Sequence, residues 1–149
     1  MNLGAAATGP DWSLARRILC VRLDNLGDVL MSTPAMRALH EQRPGRSLSL
    51  LTSPGGAALV PHLPFVDDAI VYDAPWVKNA RTAACDRSRD RALIEALAAR
   101  RFDAAVIFTV YSQSALPAAL SCLLAGIPLR LAYSRENPYA LLSDWAPET

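Results

Sequence analysis

An α/β fold, in which a parallel sheet lies between helices on both of its faces, is predicted by three features of this 149-residue sequence. Short apolar runs alternate with longer segments whose apolar residues recur at helical spacing. The apolar runs are continuous, as is typical of strands that are buried on both faces of a parallel sheet. Hydrophobic residues make up 52% of the chain and charged residues 19%, a balance that favours one globular domain.

Five strands are predicted from the apolar runs, because each run is bounded by turn residues or by a helical segment. They cover residues 17–23, 47–52, 68–72, 104–110 and 129–133. The connections between parallel strands are almost always right-handed. Every loop that leads from a strand into a helix is therefore expected at the same edge of the sheet.

The helix after the first strand has two possible starting points. Thr33 followed by Pro34 is typical of an N-cap and a first-turn proline, which predicts a start at this pair. A start at Asp28 would instead place Pro34 inside the helix, where it should cause a kink. Three further helices are predicted at 57–63, 91–101 and 114–124.

Composition excludes several classes of protein. The net charge of +1 does not suit a dedicated nucleic-acid binder. The three cysteines are far apart and no histidine cluster accompanies them, so we expect reduced thiols and no metal site. No signal peptide is recognisable at the N-terminus. Residues 104–129 carry no charge, as in a membrane span, but their central polar cluster and prolines favour a strand, a turn and a helix.

The loop after the first strand combines residues that suit either a turn or a binding site. Gly27 allows a tight turn or the close approach of a ligand. Asp28 stands at the expected start of a helix, as an N-cap or as a functional carboxylate. Asp24 and Asn25 are common turn formers. The sequence contains neither the G-x-G-x-x-G fingerprint nor a P-loop, so no standard nucleotide-binding motif is present.

The order of these features resembles glycosyltransferase family 9, the heptosyltransferase family. Members of that family open with an apolar strand, a basic residue, a loop that ends in Gly-Asp, and a helix that carries Thr-Pro-Ala-x-x-x-Leu. Residues 18–54, ILCVRLDNLGDVLMSTPAMRALHEQRPGRSLSLLTSP, follow this order. Shorter similar blocks, VDDAIVYD, LIEALAARRFDAAVIF and SALPAALSCLLAGIPLRLAYSRE, extend the resemblance to about residue 136.

The resemblance implies the N-terminal half of a GT-B glycosyltransferase, in which two Rossmann-like domains face each other across a cleft. Residues 17–136 would form the acceptor-binding domain. Residues 1–16 would be a flexible arm, and residues 137–149 would begin the linker to a second, donor-binding domain that this sequence does not include.

The resemblance also implies an inverting transfer of a sugar from a nucleotide-sugar donor, such as an ADP-heptose, to a saccharide acceptor such as the lipopolysaccharide core. Asp28 matches the proposed general base of the family. The expected acceptor-binding residues lie in two loops at the sheet edge: Arg22, Asn25, Gly27, Tyr111, Ser112, Gln113 and Ser114. Neither a metal nor a resident cofactor is expected. The resemblance further implies that the protein acts in the cytoplasm or at the inner face of the inner membrane.

Other functions remain open at this stage. Trp76 is a candidate for stacking on a sugar ring, and the arginine-rich segment 78–91 is either an anion-binding loop or a solvated charged loop. The chain has one lysine, Lys78, whereas acceptor loops of the family are rich in lysine, which weakens the case for a lipopolysaccharide acceptor. The alternatives are a single-domain, flavodoxin-like module that binds a nucleotide or phosphate, and a non-catalytic interaction module. We expect no sugar transfer by this chain alone.

Overall fold

The computed structural model describes residues 10–78 and 87–147. In these ranges the strands are β1 (Arg17–Arg22), β2 (Ser47–Thr52), β3 (Asp68–Val71), β4 (Ala104–Ile107), β5 (Leu129–Ser134) and β6 (Asp144–Pro147). The α-helices are α1 (Leu26–Glu41), α2 (Arg87–Ala99) and α3 (Leu116–Leu124). Short 3-10 segments cover Trp12–Leu14, Gly56–His62 and Tyr139–Leu141.

The six strands form one sheet in the order β3-β2-β1-β4-β5-β6, and every neighbouring pair is parallel. This is the strand order of a Rossmann-like sheet, and it confirms the predicted fold class. A flavodoxin-like sheet has the order 2-1-3-4-5. The alternative hypothesis of a flavodoxin-like module is therefore wrong about the topology. The chain reverses its direction of progress between β1 and β4, and the loops after these two strands therefore diverge and leave a crevice.

Alternate residues of β1 pack into the two layers of the core. Leu19 and Val21 belong to the cluster that includes the inner faces of α2 and α3. Ile18 and Cys20 belong to the opposite cluster, which includes the inner face of α1. Both sets are almost completely buried, as the continuous apolar run predicts for a central strand.

Helix α1 begins at Leu26, earlier than either predicted start, and the prediction of an N-cap at Thr33 is wrong. Pro34 lies inside the helix and has no N–H for the carbonyl of Leu30. The hydroxyl of Thr33 donates to this carbonyl instead, over 2.7 Å. The Thr-Pro pair is therefore accommodated within the helix, because the threonine side chain replaces the hydrogen bond that proline removes.

Several predicted boundaries shift by a few residues. The 57–63 helix is a 3-10 segment, which suits a short stretch that contains Pro61. The description of α2 starts at Arg87, four residues before its predicted start, and β4 ends at Ile107 instead of residue 110. The last predicted helix starts at Leu116 because Pro117 occupies its first turn.

Both ends of the described chain carry more structure than the sequence predicts. Trp12–Leu14 forms a turn whose backbone is held by Arg46, which donates to the carbonyls of Trp12 and Ala15 over 3.0 Å. Residues 144–147 form the sixth strand, parallel to β5. The signal for β6 is weak because only four residues pair and their burial alternates.

An apolar groove of about 670 Å³ lies between α1 and the half of the sheet formed by β4, β5 and β6. No carboxylate, histidine or basic side chain lines it. Among the described residues, no helix is long and apolar enough to cross a membrane, so the uncharged stretch at 104–129 does not form a spanning helix.

Candidate active site at the sheet crevice

A cleft of about 450 Å³ opens where the loops after β1 and β4 diverge. The loop after β3 forms its third wall. The lining residues are Asp24, Asn25 and Asp28 after β1, Val110, Ser112 and Gln113 after β4, and Trp76, Val77 and Lys78 after β3. In open α/β sheets, ligands bind at this position, outside the carboxyl ends of the strands at the switch point. We therefore treat this cleft as the candidate site.

Asp28 occupies the third position of α1 and is not its N-cap. Asn25 is the N-cap, and its Oδ1 accepts a hydrogen bond of 3.2 Å from the backbone N–H of Asp28. The side chain of Asp28 therefore does not cap the helix. It lines the cleft, with 30% of its surface exposed. The first turn of a helix favours negative charge, so the carboxylate sits in a field that stabilises it.

Arg22 is buried beneath the loop and pairs with two carboxylates. Its Nε lies 2.8 Å from Oδ2 of Asp24, and its Nη2 lies 3.4 Å from Oδ1 of Asp28. The guanidinium therefore links the deepest acidic residue of the cleft to the most accessible one. Arg22 does not line the cleft, so the structure places it behind the carboxylates and not where we predicted contact with an acceptor.

Asp24 forms the floor of the cleft, with only 5% of its side chain exposed. Burial raises the pKa of its carboxyl above the usual value, and the nearby charge of Asp28 acts in the same direction. Arg22 and the side chain of Gln113 lower the same pKa and offset part of the burial effect. The sequence suggested only a turn former here, since burial of a polar loop residue has no local signature.

Of the four acceptor-binding residues predicted in the loop after β4, two line the cleft and two do not. Ser112 and Gln113 line the cleft. Tyr111 points away and is 68% exposed, with the guanidinium of Arg135 stacked 4.1 Å from its ring centre. Ser114 Oγ accepts a hydrogen bond of 3.2 Å from the N–H of Leu116 at the start of α3. Tyr111 and Ser114 thus shape the loop and its exit.

Gly27 is not required for a tight turn. It lies in the first turn of α1 without a positive φ, and an added Cβ would meet only Asn25 Oδ1, at 3.6 Å. The prediction of a glycine-dependent bend is therefore wrong, because the capped helix start already sets the path of the chain. Gly27 is also not among the residues that line the cleft.

The loop after β3 brings a ring and a cation to the cleft. The ring of Trp76 lies 5.8 Å from the ring of Tyr72, at an interplanar angle of 50°. Lys78, the single lysine of the sequence, follows two residues later and is exposed. The rest of the segment 78–91 is only partly described: Arg81 lies outside the described residues, whereas Arg87, Arg89 and Arg91 belong to α2.

The sheet order and the crevice with its carboxylates define a Rossmann-like domain of the kind found in GT-B glycosyltransferases, and solved structures of this class match the chain. Heptosyltransferase II of E. coli, described as an ADP-heptose lps heptosyltransferase, has 25% sequence identity and a TM-score of 0.70 over 89% of this chain. The chain is thus similar to heptosyltransferases of glycosyltransferase family 9, as the sequence motifs predict.

Two further structures match with lower identity and support the fold alone. The E. coli heptosyltransferase WaaC, solved with ADP-2-deoxy-2-fluoro heptose, is 21% identical, with a TM-score of 0.62 over 88% of this chain. A family 9 glycosyl transferase from Veillonella parvula is 16% identical, with a TM-score of 0.63 over 91% of this chain. The chain spans between 35% and 42% of the length of these structures. No family model and no curated protein sequence matches it.

Proposed function

We propose that this chain is the acceptor side of an inverting glycosyltransferase and that Asp28 is its general base. The observation that carries the proposal is the placement of Asp28: it lines the crevice at the switch point, and Asn25 performs the capping role that would otherwise occupy it. The donor would be a nucleotide sugar of the ADP-heptose type, bound by a second domain, and no resident cofactor takes part. The reaction would take place in the cytoplasm or at the inner face of the membrane, as the resemblance to family 9 implies.

The chemistry requires one proton acceptor on this side of the cleft. The acceptor hydroxyl attacks the anomeric carbon of the donor, the bond from that carbon to the diphosphate oxygen breaks, and the diphosphate leaves with the electron pair. Asp28 takes the hydroxyl proton as the new glycosidic bond forms. A positioned base of this kind contributes typically about 10²–10⁴-fold to the rate. Attack from the face opposite the leaving group inverts the anomeric centre.

Exposure and position at the start of α1 support Asp28 over Asp24, the other carboxylate that lines the cleft. Asp28 is the more accessible of the two aspartates in the cleft, and the Arg22 guanidinium and the helix terminus both stabilise its charge. Lys78 and Trp76 on the facing wall suit a saccharide that carries negative charge. The two carboxylates also argue against a phosphate-binding module, because a phosphate at this helix start would meet both of them.

The test joins this chain to the donor half of E. coli heptosyltransferase II and measures transfer from ADP-heptose to a core oligosaccharide. Asp28→Asn should lower the rate about 10²–10⁴-fold while donor binding stays unchanged. Asp11→Asn, an exposed aspartate outside the cleft, is the matched control and should keep full activity. Activity of Asp28→Asn within a few-fold of the parent would refute the base assignment.

A calorimetric titration of the isolated chain with an ADP-sugar distinguishes the transferase hypothesis from the hypothesis of a nucleotide-binding module. We expect no binding of an ADP-sugar to this chain, since the donor would bind to the second domain. Tight binding would instead favour a module that recognises nucleotides on its own.

A further inference from the structure

We propose that Asp24 is a second acceptor-binding carboxylate, which accepts a hydrogen bond from the hydroxyl next to the one that reacts at Asp28. This inference rests on the proposed function and names the class of acceptor: a saccharide that presents two neighbouring ring hydroxyls to the cleft. Asp24 would then determine which hydroxyl pair is recognised.

The first argument is the unsatisfied hydrogen-bonding capacity of Asp24. Both carboxylate oxygens are buried, and neither makes a well-aligned hydrogen bond with the described residues, although the side chain of Gln113 lies close enough to lower the pKa of this carboxyl. Arg22 approaches to 2.8 Å, but its Nε is also without a hydrogen bond, so the contact is an ion pair without hydrogen-bond alignment. A buried carboxylate with free lone pairs is costly unless a donor reaches it.

The second argument is where those oxygens lie. Asp24 lines the same cleft as Asp28, so a donor that satisfies it must enter through the cleft. Sugar hydroxyls are donors of suitable size, and each can donate one hydrogen bond to a carboxylate. Asp24 and Asp28 contact the same guanidinium. Two adjacent hydroxyls of a pyranose can therefore each donate a hydrogen bond to one of these carboxylates.

The third argument concerns the division of roles between the two aspartates. Asp28 is the more exposed and can receive a proton and release it to solvent, whereas Asp24 is enclosed. Burial favours a neutral or hydrogen-bonded carboxyl at Asp24, and a bound hydroxyl supplies the hydrogen bond. Gln113, on the facing loop, lies beside Asp24 and can hold the same hydroxyl from the other side.

The experiment titrates the chain with methyl α-D-mannopyranoside and with its 2-, 3- and 4-deoxy analogues, and follows the side-chain carboxyl carbons of Asp24 and Asp28 by NMR. The neutral glycoside keeps charge effects out of the comparison. In the wild-type chain we expect both carboxyl signals to shift. At least one deoxy analogue should bind about tenfold more weakly, as expected when a hydrogen bond to a charged group is lost.

Asp24→Asn and Asp24→Ala should reduce this discrimination between the parent glycoside and that analogue to less than about twofold. Asp11→Asn, at an exposed aspartate outside the cleft, is the matched control and should retain it. The wild-type titration keeps the inference testable even if an Asp24 variant does not fold.

A shift of the Asp28 signal alone, with equal affinity for all deoxy analogues, would overturn this inference and leave the proposed function intact. Absence of any glycoside binding to the folded wild-type chain would also overturn this inference, whereas the proposed function would fall only if Asp28→Asn kept its transfer activity in the two-domain enzyme.

Discussion

The indole N–H of Trp12 donates a hydrogen bond of 2.9 Å to Oδ2 of Asp144, and so joins the N-terminal turn to the sixth strand. The two residues are 132 positions apart, which makes this one of the longest-range contacts in the chain. The bond ties the edge strand to the segment that precedes β1. The stability of β6 is therefore expected to depend on residues at the opposite end of the sequence.

Trp12→Phe should lower the free energy of unfolding by about 1 kcal/mol, the usual net contribution of one hydrogen bond. Asp144 keeps a second partner, the hydroxyl of Ser143, so the carboxylate is not left unpaired. Urea denaturation of Trp12→Phe, of Asp144→Ala and of the double variant measures the coupling energy between the two side chains. Strictly additive effects would show that the bond does not contribute.

Gly56→Ala should destabilise the fold by about 1–3 kcal/mol, because the site is already packed to contact. A Cβ at Gly56 would lie 2.1 Å from Thr52 Oγ1 and 2.8 Å from Val29 Cγ2, so the turn after β2 would have to move away from α1. Gly55→Ala is the matched control, since a Cβ there meets nothing closer than Ser53 Oγ at 3.9 Å. Thermal unfolding that ranks the two variants equally would contradict this account.

Two of the three cysteines should be unreactive in the folded chain. Burial raises the pKa of the Cys20 thiol well above its usual range and that of Cys122 to about 12, so neither forms thiolate at neutral pH. Cys85 lies outside the described residues. In a Cys85→Ser variant, a disulfide-exchange reagent should label both remaining thiols only after unfolding in guanidinium. Fast labelling of the native variant would show that the core opens at one of these strands or helices.

Asp24 should make the folded chain less stable as the pH rises. Its pKa is raised in the folded state, so its stabilising contribution is present below the unfolded pKa of about 3.9 and is lost as the pH rises through the folded pKa. The stability of Asp24→Asn relative to the wild type should therefore increase as the pH rises above about 4. Urea midpoints at several pH values measure this difference.

Asp11→Asn provides a control of opposite sign for the pH series. The N–H of Ser13 donates to the Asp11 carboxylate and lowers its pKa, so its contribution is present above the usual pKa and is lost as the pH falls. Its exposed position makes the effect small. A stability difference between Asp24→Asn and wild type that stays constant with pH would contradict the burial effect.

Much of the fold could be predicted because burial on both faces leaves a local signature. The apolar run at β1 and the partly apolar segments at β2 and β5 identified these strands nearly to the residue. The start of α1 was predicted wrongly because Thr33 followed by Pro34 is typical of a helix start, whereas here the pair lies inside the helix. The strand β6 was missed because four residues with alternating burial resemble any irregular tail.

The alternation of strands and helices, the common edge at which the loops lie, and the presence of Asp28 at a helix start could all be predicted from the sequence. Three features emerge only in the folded chain: Arg22 links Asp24 to Asp28, Asn25 is the cap, and the loop after β3 closes the cleft. The difference lies in the range of the interactions. Hydrophobic periodicity reports which face of an element is buried, whereas the burial of a loop carboxylate depends on strands and loops that meet only after the sheet has assembled.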